Sequence, residues 1–259
     1  MTWSADTPEA GGDVTDDAVL GGRLRLFQPA RGHRVGHDAI LLAACVGSSA
    51  REVVDLGAGV GSAGLAVAVR LPLARVTLVE IHPASAALAA RNAGRPENRL
   101  GGRVAVVEAD IARLGLVSGP PLPAARGADT VILNPPFNDP TRHRVSPREA
   151  RARAHSAGDE ALETWLRAAE RLLAPAGEVH LIHRPEALAA VLAALEGRFG
   201  AVRLRTVHPR PDAPAVRLLA SAVKGRRTPL ALLPPLVLTG ADGQARPEAE
   251  RLLREGEGF

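Results

Sequence analysis

Asn134-Pro135-Pro136-Phe137 closes the apolar run Thr130-Val131-Ile132-Leu133, and these residue types together suit the holding of a flat, weakly nucleophilic amine. An amino group conjugated to a purine ring or a carbonyl has its lone pair delocalised. The side-chain oxygen of Asn134 and the carbonyl of Pro135 could each accept one of its hydrogens, drawing the nitrogen toward tetrahedral geometry and aiming the lone pair at an electrophile. Two prolines stiffen the backbone that carries these acceptors. Phe137 offers an apolar face on which a base can stack. These four are the candidate catalytic residues, and Asn134 is a candidate cofactor contact as well.

Upstream, Val53-Val54-Asp55-Leu56-Gly57-Ala58-Gly59-Val60-Gly61 places an acid at the end of a strand-like run and glycines at three alternate positions. Glycine permits positive φ and close backbone approach, so a cofactor can lie across the strand ends there. The segment Gly59-Val60-Gly61-Ser62-Ala63-Gly64 also matches a dinucleotide pattern, with Glu80 about 20 residues on. A pyrophosphate would then lie beside the Asp55 carboxylate, which is electrostatically unfavourable. S-adenosylmethionine has no phosphate and carries an ammonium group that favours a nearby acid, so it is the expected cofactor, with the dinucleotide as the weaker alternative. Glu80, with Ile81 next to it, ends a second strand where a carboxylate can accept hydrogen bonds from ribose hydroxyls; an exposed strand-end acid is the alternative. Asp110 could bond an adenine amino group and Ile111 pack on the ring, although Asp110 also fits a helix cap.

The elements that must position these residues follow a regular order. Residues 1–14 are polar and Gly-rich and are expected to be disordered. A hairpin with a Gly21-Gly22 turn and a helix over 38–44, capped near His37 or Asp38, come next. Strand and helix then alternate: strands near 53–55, 75–80, 104–107, 130–133 and 179–183, helices over 63–71, 84–92, 160–173 and 187–195. Two last strands, 202–207 and 215–223, read as a hairpin. This order predicts an α/β, doubly wound, mostly parallel seven-stranded sheet of Rossmann type, with an N-terminal β-hairpin and an antiparallel strand near one edge. The predicted organisation is a tail (1–14), a hairpin and helix closing the cofactor site (15–50) and a catalytic domain (51–259). The longest stretch without predicted structure, 138–158, directly follows the Asn-Pro-Pro-Phe element, and its position favours a functional loop.

Composition narrows the class. The single Cys45 excludes an intramolecular disulfide and a cysteine-based zinc cage, and fits a reducing compartment. No window approaches ~18 uninterrupted apolar residues and no export signal is visible, so a cytoplasmic protein without a membrane span is expected. Among His33, His37, His143, His155, His180, His183 and His208 no pair at helical spacing falls within a predicted helix, and no metal is expected. Trp165 reads as a core residue, Trp3 as part of the tail and Cys45 as a small core residue. The net charge is only +4 and Lys224 is the only lysine. Within 142–155, however, Arg142, Arg144, Arg148, Arg151 and Arg153 face one acid, Glu149, and a second basic cluster runs from Arg203 to Arg227. An arginine-rich loop beside an acceptor pocket favours a polyanionic acceptor such as RNA, with those five arginines as candidate contacts. A solvated face is the alternative.

The tetrapeptide and the glycine loop together resemble the class I S-adenosylmethionine-dependent methyltransferases that act on amino groups, whose signature is Asn/Asp-Pro-Pro-Tyr/Phe/Trp. More narrowly, Leu20-Gly21-Gly22-Arg23-Leu24-Arg25-Leu26 and Gly32-His33-Arg34-Val35-Gly36-His37-Asp38-Ala39-Ile40-Leu41-Leu42 resemble the opening of bacterial tRNA(Val) adenine-N6 methyltransferases. So do His183-Arg184-Pro185-Glu186, Lys224-Gly225-Arg226-Arg227 and Leu232-Leu233-Pro234-Pro235-Leu236. The resemblance implies that Asp55, Gly57, Gly59 and Gly61 hold the methionine part of the cofactor, Glu80 the ribose and Asp110 the adenine. It implies further that Gly36 and Asp38 close over the methionine end, that Asn134 to Phe137 hold the acceptor amine, and that tRNA is the partner. Phe137 stands where many relatives have Tyr, which keeps stacking and loses a hydroxyl contact. The same tetrapeptide serves N5-methylation of glutamine in release factors, and a non-catalytic RNA-binding protein on this fold is a further alternative. The oligomeric state, monomer or homodimer, stays open.

Overall fold

The computed structural model describes residues 13–30, 36–116, 122, 127–136 and 147–259, the first thirteen of the last segment by backbone only. The β-branched runs that alternate with Ala- and Leu-rich helices form one sheet. In chain order the elements before it are β1 (Val14–Val19), β2 (Leu24–Pro29) and α1 (His37–Ala44). The sheet and its helices are β3 (Glu52–Leu56), α2 (Ser62–Arg70), β4 (Arg75–Glu80), α3 (Pro83–Ala93), β5 (Val104–Glu108), β6 (Ala128–Leu133), α4 (Pro147–Leu172), β7 (Leu173–His183), α5 (Leu188–Leu195), β8 (Phe199–His208) and β9 (Arg217–Lys224). Two-residue strands β10 (Ala231–Leu232) and β11 (Leu236–Val237) and a short α6 (Pro247–Glu250) follow.

Spatial order is β10-β8-β9-β7-β6-β3-β4-β5, with β11 also on β8, and β9 alone runs antiparallel to its neighbours. The seven long strands are those predicted; β10 and β11 raise the count to nine by adding brief parallel pairings to β8. Side chains alternate between two cores. Val53, Val76, Leu78 and Ile132 pack with α1 and α2 on one face, whereas Val54, Leu56, Val79 and Leu133 pack with α4 and α5 on the other. Such alternation is what a strand covered on both faces requires.

Three boundaries differ from the sequence reading. β1 begins at Val14 and takes in Thr15, Asp16 and Asp17, because Asp16 faces Arg25 and Arg95 at 2.9 and 2.8 Å and those arginines hold its carboxyl down to about 2. The cap of α1 is Gly36, not His37 or Asp38. Most importantly, α4 starts at Pro147, so residues 147–158 are helix rather than part of a long loop. Pro147 suits a first helical position, and the following Arg and Ala residues are strong helix formers that outweigh the single Gly158.

The N-terminal hairpin docks by an unusual device. The side-chain amide of Asn92 accepts from the Phe27 N–H at 2.7 Å and donates to the Phe27 carbonyl at 3.0 Å. Asn98 does the same for Arg25, at 2.8 and 2.9 Å. Two asparagines thus satisfy alternate residues of the β2 edge that would otherwise need a neighbouring strand. The guanidinium groups of Arg91 and Arg95 lie over the Phe27 ring, 4.5 and 4.1 Å from its centre.

Among the described residues no helix is long and apolar enough to cross a membrane, and no group of three or more His, Cys, Asp or Glu side chains could hold a metal ion. His180 is a buried core residue whose Nδ1 lies 2.8 Å from Ser221 Oγ; burial, followed by the charges of Arg203 and Arg70, pushes it down to about 3. Cys45 packs against the core, its thiol donating to the Leu41 carbonyl at 3.4 Å.

Candidate active site

Register brings the candidate residues together. Leu56 pairs with Val79 on one side and with Leu133 on the other, and Glu80 pairs with Glu108. Gly57, Glu80, Glu108 and Asn134 therefore stand in a row at the carboxyl ends of four adjacent strands. Strand order reverses at β3, between β4 and β6, and such a switch point opens the crevice in which ligands of doubly wound sheets bind.

The loop after β3 turns on three left-handed glycines, with φ of +66° at Gly57, +57° at Gly59 and +92° at Gly61. They serve different purposes. A Cβ at Gly61 would lie 2.9 Å from Leu65 and Leu78, and one at Gly57 would strike the indole of Trp165, whereas nothing lies within 4 Å of one at Gly59. Gly57 and Gly61 are thus packed from within, and Gly59 presents the open side of the loop. The Glu80 carboxylate fixes that loop: Oε2 accepts the Gly59 N–H and Oε1 the His82 N–H, both at 2.8 Å. Glu80 is buried, and its two oxygens are oriented before any ligand arrives.

Beside it lies a cavity of about 370 Å³ lined by Ile81, Glu108, Ala109, Asp110 and Arg113. Ile81 is half exposed there, an apolar wall open to solvent. Asp110 lines the cavity and also caps the short turn Ile111–Arg113, its Oδ1 accepting the Ala112 N–H at 2.8 Å. The cap is thus the observed role of Asp110, and its place in the cavity wall leaves the adenine contact an expectation. Ile111 does not line the cavity; it packs against the core under α4. Glu108 and Arg113 were not singled out from sequence, and for Glu108 the signal was its register opposite Glu80.

Asp55 does not line this cavity either. It is 2% exposed, and its Oδ2 accepts the Gly64 N–H at 2.8 Å from beneath the loop. Asn134 is half-buried, Pro135 buried and Pro136 exposed. Phe137, Arg142 and Arg144 lie outside the described residues, and Arg148, Arg151 and Arg153 fall in the first two turns of α4. Gly36 and Asp38 start α1 at the same rim: Asp38 Oδ2 takes the Arg217 Nε–H at 2.7 Å, and Arg217 precedes the pair His183↔Leu218 at the carboxyl end of β7.

The basic cluster from Arg203 to Arg227 is not one patch. Arg217 pairs with Asp38 and Arg203 with Glu178 at 3.0 Å. Lys224 donates to the Glu170 and Leu173 carbonyls at 2.6 Å. Arg226 and Arg227 follow the far end of β9, away from the rim, because β9 carries the chain from Arg217 at the carboxyl end of β7 across to the opposite edge of the sheet.

Known proteins resemble this chain in sequence and in fold. The family model described as "Methyltransferase small domain" matches residues 34–208. This chain belongs to that family. A protein of Porphyromonas gingivalis named tRNA1(Val) (adenine(37)-N6)-methyltransferase is 32% identical to this methyltransferase over 193 residues, 72% of this chain and 73% of its own. An Aeromonas hydrophila protein of the same name is 35% identical over 152 residues, 58% of each chain. The crystal structure of an Agrobacterium tumefaciens protein, described as a predicted O-methyltransferase, superposes with a TM-score of 0.70 at 31% identity, covering 86% of this chain and 98% of that one.

The methyltransferase site fits S-adenosylmethionine on its own features: an open face at Gly59, an oriented carboxylate at Glu80, and a cavity with an apolar wall and an acceptor, Asp110. Asp55 adds a pH signature. Burial, and after it the neighbouring Glu80 charge, push its carboxyl up to about 7 against the Gly64 hydrogen bond, from an ordinary 3.8. The folded chain then holds that proton more tightly than the unfolded one, so the stabilising effect is full below pH 3.8 and is lost as pH rises through 7. Asp55→Asn keeps an acceptor for Gly64. Its unfolding free energy from urea titration without cofactor should exceed the wild-type value by a margin that widens from pH 4 to 7, reaching a few kcal/mol at about 1.4 kcal/mol per pKa unit. A margin that stays constant across that range would argue against a buried proton.

Proposed function

We propose that this methyltransferase transfers the methyl group of S-adenosylmethionine to the N6 amine of an adenosine in RNA, with the anticodon loop of tRNA(Val) as the substrate and the cytoplasm as its place of action. The carrying observation is the Leu56↔Leu133 register, which sets the acceptor element Asn134-Pro135-Pro136 directly beside the glycine loop. The names of the relatives support the substrate. When bound, the cofactor supplies an electrophilic methyl group on a sulfonium. The protein's part is positional. Glu80 takes the ribose hydroxyls, Asp110 and Ile81 the adenine, and the loop through Gly57, Gly59 and Gly61 the methionine part, with Gly36 and Asp38 closing over it from the start of α1. The Asn134 side-chain oxygen and the Pro135 carbonyl hold the two hydrogens of the acceptor amine. A hydroxyl has one hydrogen to give, so a paired acceptor suits nitrogen better than oxygen. Phe137 stacks on the base, and Arg142, Arg144, Arg148, Arg151 and Arg153 meet the phosphates.

Nucleoside mass spectrometry of total tRNA from a deletion strain, with and without complementation, tests this. N6-methyladenosine should disappear from one tRNA and return with the wild-type chain. Unchanged N6-methyladenosine together with loss of a methylated glutamine from a release factor would reassign the acceptor to protein.

A further inference from the structure

Trp165 reads from sequence as core filler, yet its surroundings tie it to the cofactor loop. The three atoms nearest to a Cβ built on Gly57 all belong to its indole, with Cζ3 at 2.9 Å and Cζ2 at 3.3 Å. The side chain is only half-buried. The loop it supports has no side chains of its own at Gly57, Gly59 and Gly61, so its shape depends on what packs from below. At Gly57 that support is Trp165. Trp165 sits on α4, and α4 also grips the other side of the site: Arg171 Nε donates to the Leu114 carbonyl at 2.7 Å, just past the turn Asp110 caps. One helix therefore braces both the glycine loop and the Asp110 turn.

We infer that Trp165 is a positioning residue for the methyl donor, its indole edge seating Gly57 and through it the open loop at Gly59. Glycine is required at position 57 for the room the indole takes as well as for its positive φ. This rests on the cofactor assignment above, and the experiment separates the two. Cofactor affinity is measured by calorimetry in the full chain, with S-adenosylhomocysteine as the probe, for wild type, Trp165→Ala, Trp165→Phe, Gly57→Ala and the double variant Gly57→Ala/Trp165→Ala. Absence of binding by the wild type would overturn the cofactor assignment itself.

With binding in the wild type, Trp165→Ala should raise the cofactor Kd and KM by about tenfold or more, while kcat at saturating cofactor and the KM for RNA change by less than about threefold. Trp165→Phe should recover most of the affinity. Gly57→Ala should weaken binding far more in the wild-type background than beside Trp165→Ala, because only there does the added methyl meet the ring. In a Trp3→Phe background Trp165 is the only tryptophan, and its emission should change on titration with S-adenosylhomocysteine. Equal costs of Gly57→Ala in both backgrounds, or an unchanged cofactor Kd in Trp165→Ala, would overturn the inference. Should Trp165→Ala not fold, the same cycle run with Trp165→Leu decides it.

Discussion

Asn134→Ala should lower kcat on an RNA acceptor by about 10²–10³, the usual cost of removing one oriented hydrogen-bonding group at the reacting centre. Cofactor affinity should stay within a few-fold of wild type, because Glu80, Asp110 and the glycine loop are untouched. The split follows from position: Asn134 stands at the end of β6 beside Gly57 but contributes nothing to the cavity at Ile81. Asn134→Asp, which keeps a side-chain acceptor oxygen, should lose less. Single-turnover rates at saturating cofactor, alongside calorimetry, provide the check. Turnover by Asn134→Ala within tenfold of wild type would remove this side chain from the mechanism.

The second large effect is on stability. Asn92 is fully buried, and its amide bonds the Phe27 N–H and carbonyl as well as the Val60 carbonyl at 3.0 Å. Asn92→Ala strands three backbone groups at once, each costing about 1–3 kcal/mol when left without a partner. A loss of about 3–5 kcal/mol is expected, read as a lower urea midpoint. Because Val60 belongs to the glycine loop, cofactor affinity should fall as well. Asn98→Ala, whose amide reaches Arg25 and the Asn92 carbonyl, should destabilise the hairpin without reaching the loop directly. Equal effects of the two variants on cofactor binding would show that the Asn92 link to Val60 carries no positional role.

Much of the site was readable from residue types because its parts are local. Three alternate glycines after an acid, an acid at the end of the next strand and a stiff Asn-Pro-Pro turn each report a backbone demand within a few residues. Elements with strong periodicity, such as β4 and α3, fall where hydrophobic spacing puts them. The first half of α4 escaped because Gly158 and a run of charge read as loop, whereas Arg and Ala propensity carries the helix through. The Arg203 to Arg227 cluster divides for the opposite reason: proximity in sequence is not proximity in space, and the length of β9 separates Arg217 at the rim from Arg226 and Arg227 at the opposite edge.

Sequence alone determined the alternation that demands a doubly wound sheet, the conformational need for glycine after β3, and the chemistry available at Asn134. Tertiary structure decided which atoms those groups face. Asp55 turned inward to Gly64 depends on how α2 folds back on β3, and Glu80 locked by Gly59 depends on strand register. Asn92 standing in for a strand and Trp165 seated against Gly57 depend on helix packing. Such pairings join residues from 9 to more than 100 positions apart. No local propensity encodes them, because only the closed sheet sets the distance between their carriers.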